Sequence, residues 1–112
     1  MRSRGDTVLE AQTDFHGARA VVRLRGEVDL ATAPKLAETI DAALEHQGLA
    51  ALAIDLDEVT LFDSSGLRVL LRGRAAAREQ GVSLTVHNAH GIVGEAFRVT
   101  NVSGLFGLPE SV

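Results

Sequence analysis

The sequence predicts an α/β fold: a mixed β-sheet with helices packed on it. Three observations carry this. Ala18 to Arg25 sets Ala20, Val22 and Leu24 against Arg19, Arg23 and Arg25, the two-residue period of a strand with one wet face. Ala50 to Leu56 is an apolar run, and Val82, Leu84 and Val86 alternate, so two more strands follow. Between these strands lie longer stretches whose apolar residues recur at helical spacing.

The elements follow in chain order. Residues 1–6 are polar and are expected to be loose. Thr7 to Phe15, with Leu9, Ala11, Thr13 and Phe15 on one face, reads as a half-exposed edge strand. His16-Gly17 turns the chain into the Ala18–Arg25 strand, antiparallel to the first. Gly26 to Leu30 is expected to be a loop carrying Glu27 and Asp29. A helix then starts near Thr32, with Pro34 in its first turn, where a missing N–H costs little. Leu36, Ile40, Ala43 and Leu44 mark its buried stripe, and Gly48 its end. The run 50–56 reads as a central strand covered on both faces, followed by a short connection, Asp57 to Phe62.

Leu67 to Gln80 is helical, expected to bury Leu67, Leu70, Leu71 and Ala75, with Gly73 admitting a close contact. After Gly81 comes the last parallel strand. Asn88 is then expected to cap a helix with the stripe Ile92, Val93, Ala96 and Phe97. Asn101 to Val112 reads as irregular. The chain of 112 residues shows no repeat or linker and is read as a single domain with one core.

Composition narrows the function. Hydrophobic residues are 46% and charged residues 23%, an ordinary globular balance. A net charge of −4 argues against nonspecific nucleic-acid binding, which needs a basic face. Trp and Tyr are absent, which removes the usual base-stacking platforms. Without cysteine there is no disulfide or thiolate metal site. No apolar stretch is long enough to span a bilayer, and no signal-peptide core follows Met1, so a soluble, cytoplasmic protein without a membrane partner is expected. His16, His46, His87 and His90 show no metal-ligand spacing, and the glycines form neither a P-loop nor a dinucleotide fingerprint; no metal or cofactor is expected.

The chemistry concentrates in Asp63-Ser64-Ser65-Gly66-Leu67, where a buried strand hands over to a helix. Two compatible readings apply. Ser and Asp are favoured helix caps, because their oxygens accept orphan N–H groups. A serine here is also a modifiable hydroxyl at the positive end of a helix, where a phosphate meets free donors and a favourable dipole. Arg68, four residues after Ser64, adds a cation in the favourable order, although the Arg residues 68, 72, 74 and 78 also suit a solvated helix face.

The segment Leu61-Phe62-Asp63-Ser64-Ser65-Gly66-Leu67-Arg68-Val69-Leu70-Leu71 resembles the signature of the STAS domain family, and more narrowly that of bacterial anti-sigma factor antagonists. Leu24-Arg25-Gly26-Glu27-Val28-Asp29, followed by Thr32 and Ala33, resembles the family's Gly-Glu-Leu-Asp turn. Phe97 through Ser103-Gly104-Leu105-Phe106 resembles its final helix and exit.

The resemblance implies a STAS-like fold and a non-enzymatic switch. The unphosphorylated form binds an anti-sigma factor serine kinase and frees a sigma factor. Phosphorylation of Ser64 ends the binding, and a phosphatase restores it. Asp63, Ser64, Ser65, Gly66, Arg68, Gly26, Glu27, Asp29 and Thr32 are the implied partner-binding residues, although Glu27 and Asp29 also suit turn formation and capping. The family pattern continues into a last strand and closing helix, and Val112 comes too soon for that helix. One flank of the sheet is therefore expected to be covered by a mate in a homodimer, or to leave the first strand as a pairing edge.

Two alternatives stay open. One is a STAS scaffold subunit, of a stress-signalling assembly or a lipid-transport ATPase, without a serine kinase. The other is a small hydrolase using Ser64, although Asp63-Ser64-Ser65-Gly66 lacks the Gly-x-Ser-x-Gly elbow.

Overall fold

The computed structural model describes residues 8–108. The expected loose start, Thr7 and the last four residues of the irregular tail lie outside them. The elements run β1 (Leu9–His16), β2 (Arg19–Val28), α1 (Ala33–Leu44), β3 (Ala51–Phe62), α2 (Ser64–Glu79), β4 (Ser83–His87) and α3 (Gly91–Val99), followed by a 3-10 helix, Ser103–Phe106. The sheet order is β1-β2-β3-β4. β1 and β2 are antiparallel, while β2, β3 and β4 are parallel. The mixed sheet, the central place of β3 and the edge place of β1 are as the sequence predicts.

Only one face of the sheet is greasy. Ala20, Val22 and Leu24 of β2, Leu52, Ile54 and Leu56 of β3, and Leu84 and Val86 of β4 are buried. α1 and α2 pack together over them. Gly73 is the point of closest approach: a Cβ there would lie 3.1 Å from Ile40 Cγ2 and 3.6 Å from Leu84 Cδ1. The other face carries Arg23, paired with Asp14 and, at 4.0 Å, with Asp55; Arg25 is 3.5 Å from Glu58. The central strand is thus not covered on both faces. Its apparently continuous run alternates Leu and Ile with Ala and Asp, and the small alanines hid the period.

The limits of several elements also differ from those expected. β3 does not stop at Leu56: the supposed connection 57–62 is its second half, and β2 likewise runs through Gly26, Glu27 and Val28 rather than ending in a loop. The pairing explains why. From Arg23↔Asp55 to Arg25↔Glu58, and from Gly26↔Val59 to Glu27↔Leu61, β3 spends one more residue than β2. Each extra residue is a bulge, which breaks the two-residue alternation by which a strand is read. α1 ends at Leu44, short of Gly48. α3 is capped at His90, because Asn88 sits at φ 61° with its amide 3.0 Å from Asp55 Oδ1. The tail is not wholly irregular: the 3-10 helix buries Phe106 against Phe97, which also stacks on Phe62. Leu71, Ala75 and Ile92 are exposed, whereas Gly66, Gly73 and Ala77 are the buried small residues of α2.

Candidate functional site

The start of α2 is built by Asp63. It is extended (φ −110°, ψ −172°), and its Oδ1 accepts the Ser65 N–H at 2.8 Å. Its carbonyl accepts the N–H groups of Gly66 at 3.1 Å and Leu67 at 3.2 Å. The cap is therefore Asp63, and both serines lie inside the first turn. Asp63 uses the donor of Ser65, so the Ser64 N–H is the one the turn leaves over. The Ser64 side chain is exposed and makes no hydrogen bond among the described residues; Ser65 is half-buried.

Gly66 sets how deeply this turn sits. A Cβ on it would fall 2.5 Å from Val28 Cγ1 and 3.0 Å from the Phe62 ring, so only glycine lets α2 settle on the ends of β2 and β3. Those ends are joined directly. Glu27 pairs with Leu61 and Val28 with Phe62, the Asp63 N–H donates to the Val28 carbonyl at 3.1 Å, and Thr60 Oγ1 donates to the Gly26 carbonyl at 3.3 Å. Gly26 itself has φ 119°, and a Cβ on it would run into the Val8 carbonyl oxygen.

The adjoining turn is locked by its own polar groups. Asp29 Oδ1 accepts from the N–H groups of Ala31 at 3.0 Å and Thr32 at 3.1 Å. Thr32, buried, donates from Oγ1 to the Glu27 carbonyl at 2.8 Å. Asp29 and Thr32 thus hold the entry to α1, while Glu27 stands half-buried beside them with no side-chain partner among the described residues.

The structure brings the Gly26–Thr32 segment and the Asp63–Gly66 turn together, as expected, but at the end of the sheet where the interior strands β2 and β3 stop rather than on an edge. Gly26, Thr32 and Gly66 shape that end of the sheet. Arg68 lies exposed on α2 and joins no ion pair among the described residues. Two surface residues escaped the sequence reading: Leu30 is 77% exposed and Leu61 41%. Their signal was an apolar side chain at a turn and a strand end beside the signature.

The histidines are engaged elsewhere. His90 Nε2 is 2.7 Å from Asp57 Oδ1, and His87 Nε2 is 2.8 Å from Thr85 Oγ1. Neither meets Ser64 or Ser65, so a serine–histidine pair of the kind a hydrolase needs is not formed among the described residues. These residues also hold no metal-type cluster, and no helix long and apolar enough to cross a membrane.

The family model described as "Mlab, STAS domain" matches residues 11–109. The chain belongs to the STAS domain family. This STAS domain is 33% identical, over 85 residues, to the anti-sigma-B factor antagonist of Listeria monocytogenes serovar 1/2a, covering 76% of this chain and 71% of that protein. Its fold matches the crystal structure of an anti-sigma factor antagonist from Mycobacterium paratuberculosis with a TM-score of 0.77 at 27% identity, over 94% of this chain and 88% of the other. It also matches the anti-sigma factor antagonist SpoIIAA in its unphosphorylated form, with a TM-score of 0.75 at 18% identity over 86% and 84% of the two chains, a likeness of fold. In sequence and in fold, this STAS domain groups with the anti-sigma factor antagonists.

Proposed function

We propose that this STAS domain is an anti-sigma factor antagonist switched by phosphorylation of Ser64. One observation carries the reading: Ser64 is an exposed hydroxyl, free of hydrogen bonds among the described residues, on the first residue of a helix already capped by its neighbour Asp63. A kinase can take this hydroxyl without dismantling the turn. The half-buried Ser65, whose N–H is held by the cap, is the poorer acceptor.

The partner is an anti-sigma factor serine kinase, and a phosphoserine phosphatase resets the switch. The protein itself performs no catalysis. The docking surface is the rim around Ser64, with Leu30 and Leu61 as apolar contacts, Glu27 and Arg68 as charged ones, and Asp29 and Thr32 holding its shape. The protein acts in the cytoplasm, where a kinase and a sigma factor would meet it.

The test is capture of partners from the native cell by the wild-type and Ser64→Ala chains, with phosphopeptide mapping of the captured material. A serine kinase held by both chains, and phosphate found only on Ser64 of the wild type, is the expected outcome. Phosphate on Ser65, or capture of membrane-transport subunits with no kinase, would replace this reading with one of the alternatives.

A further inference from the structure

The outer edge of β1 has no strand paired to it among the described residues. The Val8 carbonyl accepts the Glu27 N–H at 3.3 Å, and the β1–β2 register runs without a shift from Leu9 to His16. By the alternation of an antiparallel ladder, Glu10, Gln12, Asp14 and His16 turn their backbone groups toward β2. The N–H and C=O groups of Leu9, Ala11, Thr13 and Phe15 therefore face outward, where β1 has no neighbouring strand among the described residues. This eight-residue edge has no proline, no lysine and no bulge, three of the usual guards against strand pairing. It also exposes apolar surface, with Phe15 42% and Val8 39% accessible.

We infer that two copies join β1 to β1 about a two-fold axis at Thr13, making one continuous sheet. Charge and ladder length together select this register, since centring on Ala11 or Phe15 would pair a shorter stretch of Leu9–His16. Centring on Gln12 would oppose Glu10 to Asp14 of the mate, and centring on Asp14 would oppose two aspartates. Centring on Thr13 opposes Glu10 to His16, Gln12 to Asp14, and Ala11 to the exposed Phe15, with two threonines facing on the axis. Threonine pairs favour a ladder, and like charges set directly opposite each other oppose it. The Ser64 turn lies beyond the ends of β2 and β3, off this edge, so each copy presents its own serine. The inference does not depend on Ser64 being a switch.

Sedimentation equilibrium of the full chain over a range of concentrations tests it. The wild type should show a monomer–dimer equilibrium. Thr13→Pro removes an outward N–H at an edge position, where a sheet tolerates proline, and should be monomeric with an unchanged circular dichroism spectrum. Gln12→Asp places a carboxylate opposite Asp14 of the mate, twice per dimer, and should raise the dissociation constant about fivefold. Gln12→Lys should lower it by a similar factor. Within one protomer Gln12 faces Arg23, so the same two changes should shift monomer stability in the opposite sense. A wild type that stays monomeric at its highest soluble concentration overturns the inference. So does a folded Thr13→Pro chain that still dimerises, or a pair of Gln12 variants that leave the dissociation constant unchanged.

Discussion

Asp63 and Ser64 divide two roles that a sequence shows as one. Asp63 spends its carboxylate on the Ser65 N–H, and Ser64 spends nothing. Asp63→Ala should therefore lower unfolding stability by about 0.5–2 kcal/mol, the usual worth of an N-cap. Ser64→Ala should stay within about 0.5 kcal/mol of wild type, as for a surface change that breaks no contact. Urea denaturation of the two variants measures both. Equal losses would mean that Ser64 shares the capping, and the case for its hydroxyl being free would fail.

At the scale of elements, the site depends on how far α2 sinks onto β2 and β3. Gly66 permits that depth, and the two bulges of β3 bring Leu61 and Phe62 into register with Glu27 and Val28. Gly66→Ala would press a methyl group into Val28 and the Phe62 ring. Overpacking of this kind costs about 1–3 kcal/mol. Because Phe62 also stacks on Phe97, the strain should spread toward α3. The expected result is a lower melting temperature together with weakened binding of the proposed kinase partner, since the helix start must lift. Calorimetry of the variant checks this, and an unchanged melting temperature would show that the turn has slack. Leu61→Glu makes the complementary change: its side chain points partly to water, so binding should fall while the melting temperature holds.

For the whole molecule, the proposed phosphorylation of Ser64 has two routes of action, a change of fold or a change of surface. A phosphate on Ser64 brings about −1.5 to −2 charges. The helix N-terminus favours negative charge by about 0.3–1 kcal/mol. The Asp63 carboxylate opposes it, and could at worst lose its cap bond, a term of about the same size. Arg68 is free to swing toward it. These effects nearly cancel, so the melting temperature should shift little. At an interface they do not cancel, because a charge forced into a contact that fits a neutral hydroxyl costs about 2–5 kcal/mol. Kinase affinity should thus fall at least about tenfold, or 1.4 kcal/mol. Ser64→Ala should bind constitutively and Ser64→Asp poorly. Titration calorimetry beside melting curves of the four forms separates the cases. A phosphorylated chain that melts many degrees lower would mean switching by unfolding.

Properties that repeat along the chain were determined by the sequence alone. Leu52, Ile54 and Leu56 are buried, β2 turns its arginines to water, and a helix begins at the serines, all readable from residue type and period. The tertiary structure decided whatever depends on a partner distant in sequence. The second half of β3 is a strand only because β2 pairs with it across two bulges, and that pairing erased the period by which it could have been recognised. Ile92 fits a helical stripe yet lies 77% exposed, since the stripe says which residues share a face and not how wide the neighbouring surface is. Asp63, Ser64 and Ser65 are all competent caps by type. Asp63 was chosen because its N–H is anchored to the Val28 carbonyl, which fixes where the strand stops and the helix must start. Periodicity is a local property and survives in the sequence. Register, depth of packing and the choice among equivalent caps are set by long-range contacts, and these exist only once the chain has closed on itself.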